Sequence, residues 1–281
     1  MRKVICLLLL IMVLSTGCSS LYKVDEDKVK DVSDIITEKL INTVGQEKAE
    51  KKASHTIAST DKNAFSLISS VGDISIITHQ SDDTIININI NSKGGSKEKA
   101  EEIIENYTYT LNAENNVINV DTSFDEPLSG VNLSVDLIIY IPSAIEDIKV
   151  LTNVGDVHLS EVSGNIQIDN NVGKIFVDKS EGLYNIKVDV GEIILKDCIA
   201  IRNSEFKTNT GEIEITLRDI SKAVSIIAET GVGNIEMSLE GDAGYHATIN
   251  EFMKNERIET KNDQGTNINL TTGVGEIDFN N

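Results

Sequence analysis

Aromatic side chains are scarce in this 281-residue sequence, which has no tryptophan and only 4% aromatic residues. Carbohydrate-stacking grooves and nucleobase platforms both use aromatic faces, so the composition argues against them. The formal net charge of -20 at pH 7 argues against nucleic acid as a partner, because phosphates are bound mainly by cations. We interpret the acidic excess as a solvated surface rather than an acidic binding face.

Cysteine is also rare, at positions 6, 18 and 198. Cys6 lies in a predicted signal peptide and Cys18 is assigned below, which leaves Cys198 without a partner. No intrachain disulfide is therefore expected. Nothing near Cys198 marks it as a nucleophile, so it is predicted to be a small buried or half-buried residue.

Sequence patterns for catalysis are missing as well. The four histidines are far apart, and no zinc spacing, nucleophile elbow, phosphate loop or dinucleotide fingerprint is present. Asp82-Asp83 and Glu146-Asp147 are adjacent acids, but neighbours along a strand point to opposite faces. No catalytic residue, metal site or cofactor is predicted.

The first residues have the pattern of an export signal. A basic start, an apolar stretch from Val4 to Leu14 and small residues up to Gly17 are typical of a secretory signal peptide over 1–17. The ending resembles a bacterial lipoprotein lipobox, although Ser15 stands where that motif favours leucine. The resemblance implies that Cys18 is lipidated and that the mature chain is anchored to the membrane outside the cytoplasm. The alternative is an ordinary signal cleaved after Gly17.

Residues 18–62 are predicted to form a lipid-anchored tether, partly helical or disordered. Val29, Val32, Ile36 and Leu40 recur at helical spacing among charged residues. The simplest interpretation is a stalk that lifts the folded part off the membrane, and a partner-binding helix is the alternative.

One short phrase, typified by Val-Gly-Glu-Ile, recurs through the second half of the chain. Its marker glycines are Gly155, Gly173, Gly191, Gly211, Gly233 and Gly275, with an outlying copy at Gly72. The spacings from Gly155 onward are 18, 18, 20, 22 and 42 residues, and we interpret the last as two periods. A fixed period of this size indicates a stacked repeat.

The residues around each glycine alternate in polarity. The second and fourth residues after it are apolar, as in Ile175 and Val177, whereas the first is polar. Each phrase is therefore a half-buried strand, and a glycine before a strand indicates positive φ or close backbone approach. Gly164 gives a half-period echo, so each period holds at least two strands. The sequence predicts an all-β fold, a single-stranded β-solenoid or β-helix-like stack roughly 30 Å long at the usual strand spacing.

The remaining chain is assigned by the same periodicity. Residues 63–149 are predicted to be a β-rich lead-in or cap with one short helix near Ser96, its N-cap, and residues 150–281 to be the solenoid repeats. The two parts form one continuous domain. Residues 253–265 are polar and are predicted to be a surface loop.

Two outward positions stand out within the repeats. Phe176 and Ile194 are each the third residue after a marker glycine and are 18 residues apart. Stacked as an exposed apolar pair, they would form a contact patch. The alternative is that the tether or the lead-in covers them. The acidic residues after the glycines are interpreted as a turn column rather than a loose Ca²⁺ site.

The Ile139-Tyr-Ile-Pro142 strand end, the strand from Asp147 to Leu151, the glycine phrases and the closing segment from Asn267 to Ile277 resemble a bacterial family named putative adhesin, of unknown function. The resemblance implies a β-solenoid-like fold and a surface role, and it brings no active site. We therefore predict a non-catalytic, lipid-anchored surface scaffold or binding module with an unknown envelope partner. The alternatives are a β-helical polysaccharide-acting enzyme and an accessory protein of an envelope-stress system.

Overall fold

The computed structural model describes residues 47–124, 132–252, 254, 256–262 and 265–281. The predicted signal peptide, Cys18 and the tether up to residue 46 lie outside these ranges and stay predictions. Strands make up nearly all of the described elements, which confirms the all-β class. No helix in the described ranges is long and apolar enough to span a bilayer.

The elements are numbered in chain order. They are β1 (Glu47–Ala58), β2 (Ala64–Val71), β3 (Ile74–His79), β4 (Asp83–Gly94), α1 (Lys97–Asn106), β5 (Thr110–Glu114), β6 (Val117–Thr122), β7 (Asn132–Pro142), β8 (Asp147–Val154), β9 (Val157–Ser160), β10 (Ser163–Val172), β11 (Ile175–Asp178), β12 (Glu181–Val190), β13 (Ile193–Ala200), β14 (Arg202–Thr210), β15 (Ile213–Asp219), β16 (Ala223–Val232), β17 (Ile235–Leu239), β18 (Tyr245–Glu251), β19 (Arg257–Lys261), β20 (Thr266–Val274) and β21 (Ile277–Asn280).

The strands belong to one 21-stranded sheet in which two parallel ladders alternate along the chain. The long-strand ladder runs β2, β8, β10, β12, β14, β16, β20, and the short-strand ladder runs β3, β9, β11, β13, β15, β17, β21. Partners are one repeat apart in sequence, as Ile175 is opposite both Val157 and Ile193. Glycine-led strands therefore pair with the next glycine-led strand.

The step of 42 residues corrects the predicted count of periods. Ile235 pairs directly with Ile277, so Gly233 to Gly275 is one step of the short-strand ladder. The additional residues form β18 and β19, which pair beyond β20. The Gly72 copy is one more step of the same ladder, because Ile74 lies opposite Val157. The marker glycines therefore span six steps from Gly72 to Gly275, of which five start at Gly155.

The marker glycines form the corner between the ladders. All seven have φ between 143° and 152°. A Cβ added at Gly191 would overlap the carbonyl oxygen of Gly173, and the same relation repeats from one marker glycine to the next. Both the backbone conformation and the close approach therefore require glycine.

A buried polar row lies beside this corner, three residues before the marker glycines. Thr208 Oγ1 donates to the Gly191 carbonyl oxygen at 3.2 Å, and Thr230 Oγ1 donates to that of Gly211 at 2.9 Å. Asn170 and Thr272 make the equivalent bonds to Gly155 and Gly233. Because an unpaired buried carbonyl is costly, these side chains stabilise the turn.

The core consists of the inward residues of both ladders. The second and fourth residues after the glycines are buried as predicted; Ile193, Leu195 and Ile213 are examples. Among the buried aromatic residues, Tyr184 and Phe206 are stacked one repeat apart with ring centroids 5.7 Å apart. Apolar burial at roughly 25 cal/mol per Å² is the main stabilising contribution.

At the N-terminal end, β7 pairs with β3 in parallel and with β4 antiparallel, and β1 pairs with β4 over its whole length. Ser96 caps α1 by accepting a hydrogen bond from the Lys99 amide, as predicted. The structure differs from the predicted tether over β1. Its charged sequence favours helix, but alternate residues such as Ala53 and Ile57 pack on the core.

At the C-terminal end, a hairpin of β18 and β19 covers the last step. The prediction of a loop over 253–265 is wrong for β19, because Arg257–Lys261 pair with β18. The Glu251 carboxylate accepts a hydrogen bond from the Ile277 amide at 2.8 Å. That bond and the Lys254 ammonium hold the pKa of Glu251 below its ordinary value. In earlier steps the equivalent amide donates to a backbone carbonyl of the next step, as Ile235 does to Glu276. At the last step the Glu251 carboxylate takes the place of that carbonyl.

We expect Gly191→Ala to lower the free energy of unfolding by about 3 kcal/mol or more, because its Cβ has to displace the Gly173 backbone at an unfavourable φ. Gly95→Ala is the matched control, since a Cβ there meets nothing within 4 Å. Urea titrations measure both changes. Equal stability of the two variants would contradict the corner described here.

The depressed pKa of Glu251 predicts a pH-dependent contribution to stability. The ionised form is favoured in the folded state, so the contribution is present above the unfolded pKa and is lost as pH falls through the folded one. The stability difference between the protein and Glu251→Gln should therefore shrink as pH falls from 7 to below about 4. Thermal melts at several pH values test this, with exposed Glu240→Gln as the control. A difference independent of pH would show that the carboxylate does not cap the edge.

Candidate functional site

The most distinctive outward surface is a row across the short-strand ladder at the third residue after the glycines. We call this row, Ile138, Ser75, His158, Phe176 and Ile194, the outward row. Each member lies opposite the next on the neighbouring strand. Because neighbouring strands are about 4.8 Å apart, the side chains form a continuous strip.

Contacts within the outward row centre on Phe176. Its ring lies 4.9 Å from the imidazole of His158, tilted by 45°. His158 Nε2 is 2.8 Å from Asp178 Oδ1, which fixes the imidazole beside the ring. Phe176 is half-buried, whereas Ile194 is 8% exposed and Ile138 is 47% exposed. The apolar surface is thus open at Ile138 and more enclosed at Ile194.

Charged pairs border the enclosed part of the row. Lys174 Nζ lies 3.2 Å from Glu192 Oε2, and Lys196 Nζ lies 3.4 Å from Glu214 Oε1. The ladder continues past Ile194 through Glu214, Glu236 and Asp278. An apolar centre with a polar border is the usual arrangement of a contact surface.

The predicted contact residues Phe176 and Ile194 lie directly opposite each other on β11 and β13. Sequence reasoning missed Ile138 as their neighbour on the same face. The sequence carried a signal for Ile138. Residues 137–141 include apolar side chains at both odd and even positions, and in a strand one of these two sets must face outward. His158 was visible as the preceding residue of the same column.

Three of the polar residues that follow the glycines accept hydrogen bonds from backbone amides. Asp156 Oδ1 accepts from the Lys174 amide at 2.8 Å, and Asp73 Oδ1 accepts from the Asp156 amide at 3.0 Å. Asn234 Oδ1 does the same for the Glu276 amide. Within the described ranges, no group of three His, Cys, Asp or Glu residues is placed to hold a metal ion.

The histidines remain apart in the fold. Their partners are Tyr109 for His55, the Asp83 carbonyl for His79, Asp178 for His158 and Thr260 for His246. Cys198 is fully buried, its Sγ lies 3.5 Å from the Val177 carbonyl oxygen, and burial raises the pKa of its thiol. A buried thiol with a raised pKa is a poor nucleophile.

Comparison with protein-family profiles and with curated proteins found no match. Among solved structures, the chain is similar to a putative cell adhesion protein from Clostridium sporogenes, at 13% identity and a TM-score of 0.30, over 83% of this chain and 99% of that one. It is also similar to a putative adhesin from Bacteroides fragilis, at 16% identity and a TM-score of 0.41, over 82% and 97%. A third similar structure is a putative lipid binding protein from Parabacteroides distasonis, at 11% identity and a TM-score of 0.36, over 81% of this chain and 96% of that one.

Proposed function

We propose that this protein is a non-catalytic, lipid-anchored β-solenoid that works outside the cytoplasm as a surface-binding module, in the manner of an adhesin or envelope scaffold. The observation that supports this role best is the outward row. Phe176, half-buried beside His158, and the more enclosed Ile194 form the apolar part of the strip, which charged pairs border, and Ile138 lies on the same row beyond Ser75.

The ladders favour binding by a fixed surface. Every step places its outward residues opposite those of the next, so the strip has one geometry and loses little conformational freedom on binding. The two exposed ion pairs give the sides of the strip a polar border. An envelope protein with a small apolar surface is the partner that fits this strip.

Lipid on Cys18 would hold this surface at the membrane. A diacylglyceryl group with a further acyl chain supplies the two or more chains that stable anchoring needs. The 28 residues from 19 to 46 would then separate the lipid from β1.

We expect Phe176→Ser combined with Ile194→Ser to abolish retention of the envelope partner, because the substitutions remove the apolar centre of the strip. The measurement is a pull-down with the intact lipoprotein from its own envelope, quantified by mass spectrometry against the unchanged protein. Glu236→Ser is the matched control, since Glu236 lies on the same column beyond the apolar part.

Thermal melting of each variant separates binding from folding. A variant that loses partners while its folded fraction is complete at the assay temperature supports the role. Full retention of every partner together with a lower melting temperature would mean that Phe176 and Ile194 are only packing residues.

Cys18→Ser tests the anchor. We expect the variant to move from the membrane fraction to the soluble fraction after export, because serine has no thiol to form the thioether that carries the diacylglyceryl group. Fractionation with metabolic labelling by a fatty acid analogue measures both effects. Continued labelling or unchanged membrane association of the variant would refute lipidation at Cys18.

A further inference from the structure

The long-strand ladder carries a second surface, on a different face from the outward row. Two shallow depressions of about 320 and 260 Å³ share Asn165 and follow each other across the strands. Together they cross β6, β2, β8, β10, β12, β14 and β16. Six strand spacings make this groove about 29 Å long, parallel to the direction in which the strands stack.

Side-chain amides dominate the middle of this groove. We call Asn165, Gln167, Asn185 and Asn203 the amide groove. Gln167 lies opposite Asn185 on the next strand, and Asn165 lies opposite Leu183. Ser66 and Ser225 add hydroxyl groups towards the two ends. Asparagine is unfavourable in strands, so strand propensity does not account for these residues.

The amides of this groove make no side-chain hydrogen bond to any other residue in the described ranges, although amides elsewhere on the surface do. Asn171 Nδ2 donates to Asn153 Oδ1 at 3.1 Å, and Asn209 Nδ2 donates to Asp189 Oδ1 at 3.0 Å. Each free amide offers two donor hydrogens and an accepting oxygen. The groove therefore presents a line of unused donors and acceptors.

The charges on β12, β14 and β16 beside the groove pair with each other, whereas Asp147 and Lys149 line its other end. Lys207 Nζ lies 2.8 Å from Glu205 Oε1 and 3.3 Å from Glu229 Oε2. Lys187 Nζ lies 4.0 Å from the other oxygen of Glu205. An anionic polymer would have to compete with these carboxylates for the lysines, and the whole chain repels it.

We propose that the amide groove binds a linear, uncharged, polyhydroxylated polymer, that is, a neutral polysaccharide lying along the direction of strand stacking. Sugar hydroxyls both donate and accept, as the amides do. A peptide would need an open strand edge to extend the sheet, but the strands here are paired on both sides. This inference names a ligand for the proposed binding module and rests on that role, but on a different surface.

The mode of binding follows from the composition of the groove. Phe65, the one aromatic residue of the lining, is only 1% exposed and offers no ring face for stacking. Each sugar is therefore held by hydrogen bonds to neutral amides, each of which contributes little. Affinity therefore grows with the number of sugar units that contact the groove at once. A free monosaccharide competes poorly against the polymer.

The test is affinity electrophoresis of the full-length lipoprotein in detergent, in native gels containing dextran, galactomannan or laminarin. We expect at least one of these neutral polymers to retard the protein, and dextran sulfate not to do so. Asn185→Ala combined with Asn203→Ala should raise the apparent dissociation constant about tenfold, as expected for the loss of two neutral hydrogen-bonding groups. Gln80→Ala, an exposed amide in the β3–β4 turn, should leave it unchanged.

Three results would overturn the assignment: no retardation in any neutral polymer, equal retardation of the double variant, or stronger retardation by dextran sulfate. A melting curve of the double variant confirms that its fold is intact, and both substitutions are at outward positions. Phe176→Ser with Ile194→Ser serves as the second reference. If that variant loses its envelope partner and the unchanged protein binds no polymer, the polysaccharide assignment of the amide groove is wrong and the proposed function stands.

Discussion

The close approach of backbone to backbone at the glycine corner is the constraint on which the structure depends. From Gly155 to Gly275, each marker glycine lies so near the carbonyl of the preceding one that no side chain fits between them. This contact sets the position at which each long strand passes into a short one. The buried hydroxyls of Thr208, Thr230 and Thr272 then satisfy the glycine carbonyls that the corner removes from water. Apolar burial supplies the stability, but the corner sets the register.

A fixed register has a consequence for the surface. Positions equivalent in the repeat lie opposite one another, so a change of residue type along the sequence becomes a change of chemistry along one row. On the short-strand ladder the row passes from Ile138 and Phe176 to Glu214 and Asp278. On the long-strand ladder Gln167 lies opposite Asn185, and Asn165 and Asn203 belong to the same groove. One scaffold thus presents an apolar strip and a polar groove on different faces.

Much of the fold follows from local sequence. The alternation after each glycine predicts the strands, and the inward columns, such as Ile175 and Val177, are buried as expected. The pairing of Phe176 with Ile194 follows from their spacing.

Non-local pairing was harder to predict. Residues 47–58 have a helix-favouring sequence and become a strand only through β4, and Arg257–Lys261 become one only through β18. The 42-residue step was misread because a period does not distinguish an inserted hairpin from a missing marker. The amide groove had no sequence signal, because asparagine is common at turns as well.

Distances along the long-strand ladder test the central claim most directly. One column of residues on the long-strand ladder has a member on each successive strand. Its members, in order, are Ile68, Leu151, Asp169, Lys187, Lys207, Glu229 and Thr271. Spin labels on Ile68 and, in turn, Lys207, Glu229 or Thr271 are separated by four, five and six strand spacings. Pulsed electron paramagnetic resonance should give backbone separations that rise in equal steps, about 19, 24 and 29 Å. Distances that stay constant or fail to rise in this order would contradict the stacked register.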